Sequence, residues 1–90
     1  MKFEWDPDKD RRNQVNHGVS FEEAGTVFGD RNALSWEDVE HSVGEYRSLT
    51  LGYTDRQRLV IVAHTDRDDR VRIISARMAT AAERRIYESG

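Results

Sequence analysis

Apolar and polar residues alternate through the C-terminal half of the chain, most sharply in Arg70-Val-Arg-Ile-Ile-Ser-Ala-Arg77. Val71, Ile73 and Ser75 alternate with Arg72, Ile74 and Ala76, so apolar side chains go to both faces. A β-branched run of period 2 with both faces apolar predicts a strand inside its sheet. Leu59-Val-Ile-Val-Ala63 carries the same signature within a predicted strand over residues 57–65. A strand over 45–53 precedes it across a short turn at Thr54-Asp55-Arg56, and the polar run Thr65-Asp-Arg-Asp-Asp-Arg70 predicts the next hairpin loop. Together these strands make an antiparallel meander. With Asp55-Arg56 as a two-residue turn, its register sets Leu51 opposite Val60, Leu49 opposite Val62 and Arg47 opposite His64. A guanidinium there lowers the imidazole's pKa.

The N-terminal half reads as one short strand and two helices. Lys2 to Trp5 puts Phe3 and Trp5 on one side of a strand. Asp6 caps a helix that has Pro7 at its first position and runs to Asn16 or His17, with Gly18 closing it in left-handed geometry. Val15 is almost its only large apolar residue, so it packs weakly by itself. Ser20-Phe-Glu-Glu23 fits a capping box with Glu23 reaching back, and Phe21, Ala24, Val27 and Phe28 form a stripe that must bury against the sheet. Gly29-Asp30 stops this helix. Leu34 and Trp36 mark an edge strand, and Glu37 to Gly44 is an acidic loop expected to be mobile. A last helix, Ala79 to Glu88, carries Ala79, Ala82, Ile86 and Tyr87, with Thr80 capping it through Glu83. The order β-α-α-β-β-β-β-α predicts an α+β domain, a small antiparallel sheet with helices packed against it.

Ninety residues make one domain, 1–90, near the small end of what folds on its own core. The absence of cysteine excludes disulfides, a thiolate nucleophile and cysteine-based zinc sites. No run approaches the roughly 18 apolar residues of a membrane span, and the first residues lack the apolar region of a signal peptide. The expectation is a cytoplasmic protein without a membrane partner. Net charge is −3, but unevenly spread: residues 1–55 hold 6 basic and 12 acidic groups, and residues 56–90 hold 8 arginines against 5 acids. Such a charge split between the two parts of the chain hints at a surface for a polyanion.

His17, His41 and His64 share no metal-ligand spacing, so neither metal nor cofactor is expected. Ser75 lacks the context of a nucleophile, no glycine-rich phosphate loop exists, and Asp66, Asp68 and Asp69 read as a solvated turn. Arginine remains. Arg47, Arg67, Arg72 and Arg77 belong to the meander or its loops and are placed to converge on one sheet face or rim, with Glu45 orienting Arg47. Arginines on a covered strand need an anionic partner. That partner is either an internal carboxylate such as Glu83 or Glu45, or phosphate, whose oxygens fit the guanidinium fork. RNA cleavage through the 2′-hydroxyl needs a proton acceptor, a proton donor and cations for the developing dianion, and no metal.

Phe3-Glu-Trp-Asp6, Asn13, His17-Gly-Val-Ser-Phe-Glu-Glu23, Phe28 with Asp30, His41-Ser42, Glu45 with Arg47, Gly52, Arg72-Ile-Ile-Ser-Ala-Arg77 and Glu83-Arg84 with Tyr87 together resemble the BrnT family of toxins. The resemblance runs in order over nearly the whole chain. It implies a RelE-like fold and a ribonuclease toxin of a type II toxin–antitoxin pair that blocks translation by cutting RNA. It also implies an antitoxin of the BrnA kind, a ribbon-helix-helix protein through which alone the pair meets operator DNA. By position, the family's functional basic residues fall on Arg47 and Arg77, joined by Glu45 and His64 as catalytic groups, with Arg67 and Arg72 as RNA-binding residues. A module that pairs with a DNA-binding partner and cuts nothing is the competing reading.

Overall fold

The computed structural model describes residues 1–90. Its first half runs β1 (Lys2–Glu4), α1 (Pro7–His17), α2 (Phe21–Gly25) and β2 (Leu34–Glu37), and its second β3 (Ser48–Tyr53), β4 (Leu59–Arg67), β5 (Arg70–Met78) and α3 (Ala81–Ser89). Short 3-10 turns occupy Thr26–Gly29 and Val39–His41. The sheet order is β1-β5-β4-β3-β2, so β4 and β5 are interior as their apolar runs predict. Strands β2 to β5 are an antiparallel meander, but β1 lies parallel to β5, with Phe3 beside Val71. The sheet is therefore mixed, not purely antiparallel. Pairing on the free edge of β5 brings Phe3 over α2 and the 3-10 turn after it, where its ring meets Phe28 at 5.6 Å and leaves room at Gly25 for no more than ordinary contact.

The β3–β4 register differs by one residue from the expected one: Leu51 faces Ile61, Leu49 faces Ala63 and Ser48 faces His64. The turn holds three residues, not two. Thr54 N–H donates to Arg58 O at 2.9 Å, Gln57 N–H donates to Thr54 O at 2.9 Å, and Gln57 is left-handed at φ 61°. A left-handed third residue is the usual device of such a hairpin. One residue of slip moves every side chain to the other face, so Arg47 is not opposite His64. The β4–β5 loop is shorter than expected, a turn of Asp68 and Asp69 alone, and both strands run further. Ile74 has no partner, since Ala63 faces Ser75 while His64 faces Ile73. This bulge breaks the strict alternation of β5.

Its consequence is a division of faces. Ile73 and Ala76 join Val60 and Val62 under Val19, Phe21, Ala24 and Val27, the main core. Ser75 and Arg77 point to the other face, which α3 covers only at one end, over Leu51, Leu59 and Ile61 with Tyr87 and Tyr53. The remainder of that face is open.

The polar α1 begins and ends as its sequence predicts, with Asp6 Oδ1 accepting from Asp8 N–H at 2.8 Å and Gly18 at φ 69°. What holds it is Asn13. Its side-chain amide donates to Val19 O and Ala76 O, both at 2.8 Å, and its carbonyl accepts from Ala76 N–H at 3.1 Å. Beyond the end of β1, the asparagine completes the ladder on the free edge of β5 as a strand peptide would.

Glu23 does not close the expected capping box. Ser20 Oγ accepts from Glu23 N–H at 3.1 Å, but the carboxylate turns inward instead, with its side chain 4% exposed. It takes both arms of Arg58 and the hydroxyl of Thr54, whose Oγ1 donates at 2.8 Å. Three donors outweigh one backbone N–H. Arg58 and Thr54 hold the Glu23 carboxyl below its usual range against the opposing effect of burial. Arg58→Leu strands that carboxylate, and urea melts should show a loss of about 3–5 kcal/mol. The double variant with Glu23→Leu should recover most of it; a single variant as stable as the parent would refute this account.

Candidate active site on the open sheet face

The site is built around the segment between β2 and β3. Asp38 N–H donates to Arg47 O at 2.8 Å, and Ser42 Oγ donates to Asp38 O at 2.6 Å while accepting from Arg47 N–H at 3.1 Å. One serine thus braces both ends of the acidic loop. The closure brings His41 to the open face, where its Nδ1 lies 3.0 Å and 3.2 Å from the two Asp38 carboxylate oxygens. A carboxylate accepts only, so Nδ1 carries a hydrogen, and in the neutral ring Nε2 is the proton acceptor.

Asp38, Glu40, His41, Arg47, Leu49, Ala63, Ser75 and Arg77 line one cavity of about 330 Å³. Its floor is the small pair Ala63 and Ser75, directly opposed across β4 and β5. Arg47 reaches it from one side with its guanidinium unpaired within the chain. Arg77 reaches it from the other, held by Glu83: Nη1 and Nη2 donate to the two carboxylate oxygens, each at 2.8 Å, and Nη1 also meets Met78 O at 3.3 Å. Of five guanidinium hydrogens, two remain for a ligand. Arg77 pulls the Glu83 carboxyl down to about 2, against its partial burial, and Glu83 raises Arg77 in return. Thr80 N–H completes the helix cap on Glu83 at 2.9 Å, so this cap is the box the sequence predicts.

The other sequence-derived candidates lie elsewhere. Arg67 and Arg72 lie beyond the cavity toward β1. Arg72 Nη1 donates to Glu4 Oε2 at 2.9 Å, while Arg67 sits 3.2 Å from Glu45 and 3.7 Å from Glu4. Glu45 therefore orients Arg67, not Arg47. Arg72 keeps the Glu4 carboxyl low.

His64 is on the opposite face, 3% exposed, its ring edge-on to Phe28 at 4.9 Å. Its Nδ1 contacts Asp66 at 3.1 Å, its Nε2 contacts Thr50 Oγ1 at 2.8 Å, and Thr50 in turn contacts Ser35 Oγ at 2.7 Å. Burial lowers its pKa, with Asp66 opposing; Arg47 plays no part. It borders a separate cavity of about 550 Å³ with Phe28, Ser35, Asp66 and Val71. Arg47 and Arg77 are thus brought together and His64 is not.

The dyad Asp38–His41 is not among the sequence-derived candidates, of which His64 is the only histidine. The available signal was the i, i+3 pair inside an acidic loop, which a 3-10 turn brings into contact. No group of three or more His, Cys, Asp or Glu side chains is arranged to hold a metal ion.

No curated protein matches the sequence significantly. The crystal structure of the Brucella abortus ribonuclease toxin BrnT, at 1.1 Å, superposes with a TM-score of 0.68 at 20% identity, over 89% of this chain and 97% of that one. At that identity the likeness speaks for the fold. The sequence profile of the family described as ribonuclease toxin, BrnT, of type II toxin–antitoxin system matches residues 5–83. That span holds β2 to β5, the loop with His41, both cavity arginines and Glu83. The chain belongs to the BrnT family of ribonuclease toxins, the toxin half of type II toxin–antitoxin pairs.

Proposed function

We propose that this toxin is a metal-independent endoribonuclease acting in the cytoplasm, where cutting RNA blocks translation. The observation that carries this reading is the single cavity that gathers the Asp38–His41 dyad with Arg47 and Arg77. His41 Nε2 takes the proton of a 2′-hydroxyl, the freed oxygen attacks the adjacent phosphorus, and the bond to the 5′ oxygen breaks, that oxygen taking a proton from water as it leaves. Arg47 and Arg77 face the phosphate oxygens as their charge grows, where fixed donors act most strongly. This assigns the acid–base role to His41 in place of His64 and leaves Glu45, Arg67 and Arg72 along the path of the RNA, where phosphate competes with Glu4 and Glu45 for the guanidinium groups. The five-stranded sheet with its partly uncovered face also suits the RelE-like description.

Purified protein should cut RNA undiminished in excess chelator and leave a 2′,3′-cyclic phosphate or 3′-phosphate and a 5′-hydroxyl. Loss of cutting with chelator and recovery with magnesium or manganese would overturn the metal-free mechanism. The antitoxin, in this reading a BrnA-like ribbon-helix-helix protein that alone touches operator DNA, lays an acidic or amphipathic segment over the arginines and competes with RNA. Simultaneous binding of both, with cleavage unaffected, would rule that out. The internal pairing of Arg67, Arg72 and Arg77 favours a second reading, a module that binds its partner and cuts nothing. A folded protein that neither cuts RNA nor arrests growth on induction would select it.

A further inference from the structure

Next to the cavity-lining Leu49, strand β2 carries one residue that none of the chemistry above uses. Trp36 pairs with Leu49, Leu49 with Ala63 and Ala63 with Ser75, so one row of directly opposed residues crosses four strands. Ser35 bonds Thr50 on the covered face, which by alternation turns Trp36 to the open face beside Leu49. Three inter-strand steps put the tryptophan backbone about 14 Å from that of Ser75. The row rises from serine and alanine at the cavity floor through leucine to an indole at the sheet edge. Trp36 is 38% exposed, while Leu34 on the same strand lies against Gly90 at the end of α3.

A large aromatic face held on a strand beside unpaired cationic charge has the elements of a single-strand binding site. Cations take the phosphates, and an aromatic side chain takes a base whose Watson–Crick partner is missing. We infer that Trp36 is the stacking platform for a nucleobase flanking the scissile phosphate, making the site selective for unpaired RNA. This rests on the proposed ribonuclease reading and goes beyond it by naming the substrate's conformation and the residue that reads it. Trp36 does not touch the reacting atoms, so its loss weakens substrate binding before it slows the chemical step.

The test uses Trp5→Phe protein, in which Trp36 is the only tryptophan, because Trp5 packs edge-on against Phe21 in the main core. A single-stranded 2′-O-methyl oligonucleotide, which has no attacking hydroxyl, should quench Trp36 fluorescence on binding. An abasic chain with the same phosphates should quench it far less. In the parent protein Trp36→Ala should raise KM and the dissociation constant roughly 5- to 150-fold, with Trp36→Phe keeping most of the affinity. Equal quenching by the abasic chain, or a Trp36→Ala protein with parental melting and KM within twofold, overturns the inference. Cleavage that depends on His41 and Arg77 but not on Trp36 would sink this inference alone; no RNA binding of any kind would sink it together with the ribonuclease reading.

Discussion

Replacing His41 with alanine is expected to reduce RNA cleavage by roughly 10²- to 10⁴-fold, the range supplied by one positioned acid–base group. The side chain is well exposed and its only polar partner is Asp38, so the fold should not register the change: melting should stay within about 0.5 kcal/mol of the parent. Asp38→Asn is the graded companion. The backbone bonds of residue 38 to Arg47 and Ser42 persist, so the loop stays closed, but an amide can present its N–H₂ to Nδ1 and select the wrong tautomer. Its loss should be smaller than that of His41→Ala and in the same direction. A His41→Ala protein that cuts within threefold of the parent would move the base elsewhere, with Glu40 the remaining carboxylate of the cavity outside the dyad.

Arg77→Ala should lose cleavage by about two to three orders of magnitude, the scale seen when one transition-state donor is removed. Arg77→Lys should recover only part, because a point charge lacks the planar fork. The Glu83 pairing makes the experiment more demanding, since Arg77 also ties β5 to α3. Glu83→Gln separates the two roles. It keeps a side-chain acceptor for Thr80 N–H while removing the charge that neutralises Arg77. If Arg77 meets the phosphate, Glu83→Gln retains cleavage while Arg77→Ala loses it. If Arg77 is only a staple, both variants melt earlier and the folded fraction of each still cuts.

The pair also predicts a pH signature. Glu83 titrates at about 2 in the folded protein against an ordinary 4.5, so its stabilising contribution is complete above about pH 4.5 and is lost as pH falls toward 2. The stability gap between the parent and Arg77→Ala should therefore be constant at neutral pH and close on acidification. A gap that does not change between pH 5 and pH 2 would mean that the pair is not formed in solution.

Local signals determine much of this molecule without any long-range contact. Asp6-Pro7 and Gly18 bound α1, Thr80 with Glu83 starts α3, and the β-branched runs put β4 and β5 inside the sheet, because each depends on a few neighbouring residues and on simple periodicity. The same residues, taken together over the chain, carried the family resemblance. Arg47 and Arg77 were also legible as cations with no local reason to be there, although only Arg77 lies on a strand and Arg47 immediately precedes β3.

What only the tertiary structure decided is which side chains share a face. A left-handed Gln57 and an unpaired Ile74 each change the count by one residue, and neither breaks the hydrophobic pattern that a sequence displays. Those two positions send His64 to the covered face while Arg47 and Ser75 stay on the open one. Partner choice was legible only in part: Glu83 pairs with Arg77 as one of the two internal carboxylates the sequence offers, but Glu23 goes to Arg58 and Glu45 to Arg67. A carboxylate binds whichever donors the fold brings within about 3 Å, and sequence separation does not set that distance. The sequence determined the elements and the cations; strand registry and the bracing of one loop by Ser42 determined that His41, and not His64, stands beside them.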